Sequence, residues 1–119
     1  MLEELFRLDN KIIIITGATG LLGRKHAEAI ACYGGTPILL DLSQGIIDDF
    51  SNELNAKYNT NAIGFAIDIT NEQAIANNAK LLIGKFGKID GLVNNAANNP
   101  KVEESSDKNF SRLENFPLN

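Results

Sequence analysis

The chain has 119 residues with 11 basic and 15 acidic side chains, and its formal net charge is −4. This length suffices for one domain with a sizeable hydrophobic core and excludes two domains. The acidic balance argues against nucleic acid or an anionic membrane as a partner, because both reward a basic surface. We therefore expect a soluble protein with a single domain.

Three features predict a cytoplasmic location. Cys32 is the only cysteine, which excludes an internal disulfide and a multi-cysteine metal cage and suits a reducing compartment. Residues 1–7 are acidic and have no apolar core, which is not the pattern of a signal peptide. The longest aliphatic run, Ile12–Ile15, is far shorter than a membrane span.

Short aliphatic runs alternate with segments of helical periodicity along most of the chain. The predicted elements, in order, are a strand at Lys11–Thr16, a helix at Leu21–Tyr33, a strand at Thr36–Asp41, a helix at Gln44–Tyr58, a strand at Asn61–Asp68, a helix from Thr70 to Phe86 and a strand at Gly91–Asn94. This β-α-β-α-β-α-β order with short connections predicts an α/β fold, in which right-handed crossovers join the strands of a parallel sheet.

Each predicted helix has a distinctive feature. The first has a face of mostly small residues that lets it approach the sheet closely, namely Gly23, Ala27, Ile30 and Ala31. In the second, Ile46, Phe50 and Leu54 recur every four residues and predict the buried face. The third begins at a predicted capping box, in which Thr70 accepts a backbone hydrogen bond and Gln73 reaches back.

The last part of the chain has a different character. Residues 100–119 carry seven charged side chains with scattered apolar positions. We predict a surface loop over residues 98–119, in which Pro117 begins a helix that the chain does not complete. The whole chain is then one incomplete domain, and its fourth strand has an exposed outer edge that invites pairing with another chain.

A glycine-rich turn joins the first strand to the first helix. In Thr16-Gly17-Ala18-Thr19-Gly20-Leu21-Leu22-Gly23, three glycines recur at intervals of three. Gly17 permits the tight turn, Gly20 leaves room for a phosphate, and Gly23 lets helix and strand pack closely. The helix N-terminus adds unpaired N–H donors and a partial positive charge. The turn therefore predicts a pyrophosphate site, and the alternative is a glycine-rich loop without a ligand.

Asp41 closes the second predicted strand, about 20 residues after the glycine turn. A carboxylate at this place accepts both hydroxyls of an adenosine ribose and repels a 2′-phosphate. Neither lysine nor arginine occupies positions 18–22 or 42, where it would offset that repulsion. Asp41 therefore predicts NAD rather than NADP, and the alternative is a solvated carboxylate at a strand end.

With these motifs the sequence resembles the short-chain dehydrogenase/reductase family over about residues 5–100. Thr16–Gly23 is similar to the glycine turn of that family, Asp68-Ile69 to its adenine-side pair, and Asn94-Asn95-Ala96-Ala97 to its Asn-Asn-Ala-Gly tetrapeptide. The three motifs occur in the family's order and spacing. The resemblance implies a Rossmann-like, doubly wound parallel sheet, of which this chain holds the N-terminal NAD-binding half. It also implies a homo-oligomer for the complete protein.

The sequence departs from the family pattern at two positions. Leu21 stands where glycine is common, whereas Gly20 fits the extended, sugar-nucleotide branch of the family. Ala97 replaces the last glycine of the tetrapeptide, although Asn-Asn-Ala itself favours the smaller, single-domain branch. Neither change removes a backbone donor, so we expect cofactor affinity to be tuned rather than lost.

The resemblance assigns roles to individual residues. It places Asp68 on the adenine with the backbone of Ile69 beside it, Asn95 and Ala96 along the ribose, and Asn94 as a brace of the strand end. Without the resemblance, turn chemistry is the simpler interpretation of the asparagines. The complete predicted cofactor-binding set is Thr16, Gly17, Thr19, Gly20, Leu21, Leu22, Gly23, Asp41, Asp68, Ile69, Asn95, Ala96 and Ala97.

The catalytic residues of the family have no counterparts in this sequence. The resemblance calls for a serine and for a tyrosine followed four residues later by lysine, with the tyrosine as general acid/base. Tyr33 is instead followed at that distance by Pro37, and Tyr58 by Ala62. Other reactive side chains are predicted to be structural or solvated, namely His26, Cys32, Ser105 and Ser106.

Three functions remain open. The first is the cofactor half of an NAD-dependent oxidoreductase that acts on an alcohol or ketone, with these 119 residues alone inactive. Within this function, Asn98-Asn99-Pro100-Lys101 is similar to members linked to bacterial surface-glycan or flagellin modification. The second is a dinucleotide-sensing module without chemistry, and the third is a sugar-nucleotide epimerase or dehydratase of the extended branch. Any sequence past Asn119 separates the first two.

Overall fold

The computed structural model describes residues 2–96. Its elements, in chain order, are α1 (Leu2–Leu5), β1 (Ile12–Thr16), α2 (Leu21–Cys32), β2 (Thr36–Asp41), α3 (Gln44–Tyr58), β3 (Ile63–Ala66), α4 (Glu72–Phe86) and β4 (Gly91–Val93). All strands and helices predicted between residues 11 and 94 are present, and the short α1 is an addition. The predictions for Ala97 and for the loop and helix start at 98–119 lie outside the described residues.

The sheet has the strand order β3-β2-β1-β4, and all three neighbouring pairs are parallel. The chain moves outward from β1 through β2 to β3, then crosses back to place β4 on the other side of β1. This is the first half of a Rossmann-like, doubly wound fold, which confirms the predicted fold class. The strand order reverses between β1 and β4, the place where such folds bind ligands at the carboxyl ends of their strands.

Two clusters of buried apolar residues lie on opposite faces of the sheet. Helices α2 and α3 pack on the face that includes the fully buried Ile15 and Leu39. Helix α4 packs on the other face, where its buried Leu82 meets Ile12 and Ile38. Because neighbouring strand residues alternate between faces, the aliphatic runs of β1 and β2 supply both clusters. Within residues 2–96, no helix combines the length and apolarity needed to cross a membrane.

The helix faces match the sequence prediction in α2 and differ in α3. The buried residues of α2 are the predicted small ones, Gly23, Ala27, Ile30 and Ala31. In α3 the buried residues are Ile47, Phe50, Ser51 and Leu54, and the prediction for Ile46 is wrong because its side chain is 48% exposed. Ile47 continues the face of Phe50 and Leu54 at spacings of three and four. Ile46 is rotated by about 100° from Ile47 around the helix axis and lies at the edge of that face.

The predicted capping box at Thr70 is also wrong. Asn71 is the N-cap of α4, and its side chain accepts a hydrogen bond of 3.0 Å from the backbone N–H of Ala74. The hydroxyl of Thr70 donates instead to Asp68 at 2.6 Å. Since the nearer carboxylate binds this hydroxyl, the helix begins one residue later, and the amide of Gln73 pairs with Asn77.

Candidate cofactor site

An open cleft of about 390 Å³ lies at the carboxyl ends of the strands. It brings together segments that follow each of the four strands, namely Gly17 and Gly20 after β1, Asp41 and Leu42 after β2, Asp68 and Ile69 after β3, and Asn95 and Ala96 after β4. Parallel strands end at the same edge of a sheet, so residues far apart in sequence converge there. The cleft therefore contains residues from each predicted motif. The other predicted residues within the described range do not line it, namely Thr16, Thr19, Leu21, Leu22 and Gly23.

The three glycines of the turn have the backbone geometry that each predicted role requires. Gly17 adopts a φ of +62°, in the left-handed region that favours glycine. A Cβ on Gly23 would lie 2.0 Å from the carbonyl oxygen of Gly17, so only glycine lets α2 approach this closely. Among residues 2–96, the atom nearest a Cβ on Gly20 would be that same oxygen at 3.4 Å, which leaves the Gly20 side of the turn open.

Helix α2 begins at the turn and directs its N-terminus to the site. Gly20 is its N-cap, and the first backbone N–H groups of a helix have no partner within the helix. Such N–H groups and the helix dipole favour an anion at this place. Leu21 and Leu22 are 82% and 63% exposed, and neither lines the cleft.

Asp41 is bound to the glycine turn. Its Oδ2 accepts hydrogen bonds from the backbone N–H of Thr19 at 2.9 Å and from the Thr19 hydroxyl at 2.6 Å, and its Oδ1 accepts one from the N–H of Leu42 at 2.9 Å. Partial burial by itself raises the pKa of Asp41, yet these hydrogen bonds outweigh burial and hold the pKa below its ordinary value. Asp41 is therefore a carboxylate at neutral pH.

Arg24 supports the turn from the other side of Thr19. Its Nε donates to the carbonyl oxygen of Thr19 at 2.9 Å, and its guanidinium lies 4.5 Å from the centre of the Phe50 ring. Because the Phe50 side chain is buried, its ring holds the Arg24 guanidinium in a defined position by a cation–π contact. Sequence reasoning missed Arg24, and the available signal was a basic residue in the first turn of the helix that follows the glycines.

Asp68 is held by its own loop. Its Oδ1 accepts from the hydroxyl of Thr70 at 2.6 Å and from the backbone N–H of Thr70 at 2.9 Å, and these hydrogen bonds lower its pKa. Ile69 is 37% exposed and lies beside Asp68 in the cleft. Thr70 also lines the cleft and was not among the predicted site residues.

The segment after β4 is tied to the end of β1. The hydroxyl of Thr16 donates to Asn94 at 3.3 Å and accepts from the N–H of Ala96 at 2.9 Å. The side-chain amide of Asn95 donates to the carbonyl oxygen of Gly17 at 3.2 Å. Asn94 thus lies where a brace of the strand end is predicted, and Asn95 combines its place in the cleft with a contact to the glycine turn.

The two tyrosines lie away from the cleft. Tyr33 caps the C-terminus of α2, and Tyr58 is the last residue of α3. Each helix returns from the carboxyl end of one strand to the amino end of the next, so both helices end at the opposite edge of the sheet. Residues 2–96 contain no cluster of three or more His, Cys, Asp or Glu side chains that could hold a metal ion.

The parallel sheet, the glycine turn at its switch point and the acidic residue at the end of β2 define a nucleotide-binding domain of the Rossmann type. The chain belongs to the short-chain dehydrogenase family, because the sequence model of that family, described as "short chain dehydrogenase", matches residues 11–118. The predicted resemblance is therefore confirmed. The family consists of oxidoreductases that bind NAD or NADP.

Alignments with individual relatives cover about three quarters of this chain. The 7alpha-hydroxysteroid dehydrogenase of Escherichia coli (strain K12) is 36% identical over 90 residues, which cover 76% of this chain and 35% of the relative. The post-translational flagellin modification protein A of Campylobacter coli is 29% identical over 89 residues, which cover 75% of this chain and 35% of the relative. The chain thus spans about a third of the length of the curated relatives it matches.

Solved structures show the same fold. The NAD+-bound xylitol dehydrogenase superimposes with a TM-score of 0.71 at 29% identity, over 76% of this chain and 34% of that one. The NADPH-dependent 3-quinuclidinone reductase from Rhodotorula rubra superimposes with a TM-score of 0.72 at 26% identity, over 77% of this chain and 35% of that one. Both cofactors occur among the neighbours, so the choice between them depends on individual residues of each chain.

Proposed function

We propose that this chain is the cofactor-binding half of an NAD-dependent oxidoreductase that interconverts an alcohol and a ketone. Bound NAD supplies the chemistry of this class, which is hydride transfer to or from its nicotinamide ring. The observation that carries the proposal is the position of Asp41, a charged carboxylate in the cleft that is hydrogen-bonded to the glycine turn. An NAD site of this fold has an acidic group on the ribose beside a turn for the pyrophosphate.

The residues of the cleft fit the parts of NAD. The backbone N–H groups at the start of α2 bind the pyrophosphate, and the absent side chain of Gly20 leaves room for it. Asp41 accepts from the adenosine ribose. Asp68 and Ile69 hold the adenine, and Asn95 and Ala96 border the ribose. Thr16 keeps the segment after β4 in register with the turn through its contacts to Asn94 and Ala96.

Asp41 disfavours NADP for two reasons. Its negative charge repels a 2′-phosphate, and it already accepts from the N–H and hydroxyl groups of Thr19 that a phosphate would otherwise use. In a partly desolvated cleft this repulsion lowers the affinity for NADP by about tenfold to a hundredfold relative to NAD.

The proposal for the complete protein rests on the family. Residues 1–119 contain no Tyr-x-x-x-Lys. In the complete protein a serine would orient the substrate oxygen, a tyrosine would exchange the proton, and a lysine four residues later would lower the pKa of that tyrosine. A homo-oligomer and a cytoplasmic location belong to the same proposal. We also propose that the substrate is an alcohol or ketone used in bacterial surface-glycan or flagellin modification. The segment Asn98-Asn99-Pro100-Lys101 and the flagellin modification relative support this substrate.

A second candidate is a dinucleotide-sensing module without chemistry. Two observations favour it. The proposed nucleotide cleft is formed within residues 2–96, and neither Tyr33 nor Tyr58 is followed four residues later by the lysine of the family. The glycine at position 20 supports, to a smaller degree, the extended branch of sugar-nucleotide epimerases and dehydratases. Turnover of an alcohol by the complete protein distinguishes the oxidoreductase from both.

Calorimetric titration with NAD+ and NADP+ tests the proposed cofactor. We expect the wild type to bind NAD+ about tenfold to a hundredfold more tightly than NADP+, and Asp41→Ala to lose most of that preference. Asp49→Ala removes an exposed carboxylate of α3 and should behave as the wild type. Failure of the wild type to bind either nucleotide would contradict the proposal, and equal affinities would contradict the role of Asp41.

A further inference from the structure

The hydrogen bonds of Asp41 limit how it can hold a ribose. A carboxylate offers about four lone-pair positions, two on each oxygen. Thr19 donates twice to Oδ2, through its N–H and its hydroxyl, and Leu42 donates once to Oδ1. Among residues 2–96, these donors fill three of the positions and leave one on Oδ1. An adenosine ribose presents two adjacent hydroxyl donors, the 2′-OH and the 3′-OH.

We propose that Thr19 is a specificity-determining residue whose hydroxyl saturates Oδ2 of Asp41, so that Asp41 accepts only one hydroxyl of the adenosine ribose. This inference rests on the proposed binding of NAD and deepens it. It differs from the expectation drawn from the sequence, in which Asp41 accepts both hydroxyls. The other ribose hydroxyl then contributes no hydrogen bond to Asp41.

Several contacts keep the Thr19 hydroxyl in place. The bond of 2.6 Å to Asp41 is short, as expected for a hydroxyl that donates to a charged carboxylate. The β-branched side chain of Thr19 has restricted rotation. The backbone of Thr19 is held at its N–H by Asp41 and at its carbonyl oxygen by Arg24, which is stacked on Phe50. A movement of the Thr19 backbone away from Asp41 would break its contacts with Asp41 and Arg24.

A second ribose hydroxyl gains little by displacing the threonine. It would form one charge-assisted hydrogen bond with Oδ2 while the Thr19 hydroxyl loses one of the same kind. The exchange is close to neutral, and the threonine is already positioned by its backbone whereas the ribose must be brought into place. The arrangement with one ribose hydroxyl on Oδ1 is therefore favoured.

Deoxy analogues of NAD+ test this arrangement in the full chain. In the wild type, we expect one of 2′-deoxy-NAD+ and 3′-deoxy-NAD+ to bind within about twofold of NAD+, and the other about tenfold more weakly. Thr19→Val keeps the branched shape and removes the hydroxyl, which frees a position on Oδ2. Both analogues should then bind this variant about tenfold more weakly than NAD+ does. Thr19→Ser keeps a hydroxyl and should discriminate as the wild type does.

The outcomes separate this inference from the proposed function. Wild-type protein that binds NAD+ but loses about tenfold with each analogue uses both hydroxyls, which overturns the inference and leaves the proposed function intact. Equal binding of NAD+ and both analogues also overturns it, because Asp41 then accepts neither hydroxyl. Absence of NAD+ binding by the wild type overturns both. If Thr19→Val does not fold, the wild-type measurements alone decide.

Discussion

The side-chain amide of Asn55 in α3 makes both backbone hydrogen bonds of Ala62, the residue before β3. Its Nδ2 donates to the carbonyl oxygen of Ala62 at 2.9 Å, and its Oδ1 accepts from the N–H of Ala62 at 2.7 Å. Gln44, at the other end of α3, donates to the carbonyl oxygen of Gly64 at 3.1 Å and accepts from the N–H of Ala66 at 2.8 Å. The two amides thus pair with the outer edge of β3 as a neighbouring strand would.

Asn55→Ala should lower the free energy of unfolding by about 1–3 kcal/mol, because it leaves the buried N–H and carbonyl groups of Ala62 without partners. Urea unfolding followed by circular dichroism measures this. Asn52→Ala, at an exposed position of the same helix, is the matched control and should change stability by less than about 0.5 kcal/mol. Equal losses in the two variants would mean that the amide of Asn55 has no special role.

Removal of both amides should open the edge of β3. In the Gln44→Ala, Asn55→Ala double variant, the N–H and carbonyl groups of Ala62, Gly64 and Ala66 are free to pair with a strand of another molecule. We expect this variant to associate at concentrations at which the wild type keeps its own oligomeric state. Sedimentation velocity measures the association, and an unchanged distribution would show that the edge is protected in another way.

Gly23→Ala should disrupt the glycine turn. The new Cβ would lie 2.0 Å from the carbonyl oxygen of Gly17 and 2.8 Å from the Cα of Ala18, so α2 must move away from β1. We expect a loss of about 1–3 kcal/mol in unfolding free energy, with weaker NAD+ binding because the helix N-terminus moves. Gly84→Ala is the control, because a Cβ there meets no described atom within 4 Å beyond its chain neighbours and the adjacent backbone of α4. It should stabilise α4 by about 0.4–1 kcal/mol.

The bond between Asp41 and Thr19 predicts how stability depends on pH. The pKa of Asp41 is lower in the folded chain than in the unfolded chain, so its carboxylate contributes stability above the unfolded value of about 3.9. That contribution is lost as the pH falls through the folded pKa. The difference in unfolding free energy between the wild type and Asp41→Asn should therefore be constant near pH 6 and shrink below about pH 4.

Asn52→Ala, at an exposed position of α3, is the control for this titration, because it removes no ionisable group and should give a difference that does not change with pH. Three other carboxylates have lowered pKa values, namely Asp9, Asp68 and Asp90. They are present in the wild type and in each variant, so their contributions cancel in the difference of unfolding free energies. A wild-type advantage over Asp41→Asn that persists unchanged to the lowest pH would contradict a charged Asp41 in the native fold.

The order of elements and the glycine turn could be predicted from the sequence because their causes are local. Aliphatic runs, helical spacing and glycine positions act within a few residues, and they also identified the buried face of α2. Sequence patterns predicted less well which of two neighbouring residues is buried or caps a helix. Ile46 and Ile47 both fit the apolar face of α3, and packing against the sheet buries Ile47. Thr70 and Asn71 both fit the cap of α4, and the local hydrogen bond from Thr70 to Asp68 leaves the cap to Asn71.

Only the tertiary structure brought Thr19 to Asp41, Arg24 to Phe50 and Asn55 to the edge of β3. Each contact joins segments whose separation depends on strand order and on the depth at which a helix packs, and no periodicity in the sequence encodes either distance. The sequence therefore determined which kinds of residues stand at the ends of the strands. The parallel sheet decided which of their hydrogen-bonding groups are already occupied, because it places the turn after β1 directly beside the end of β2.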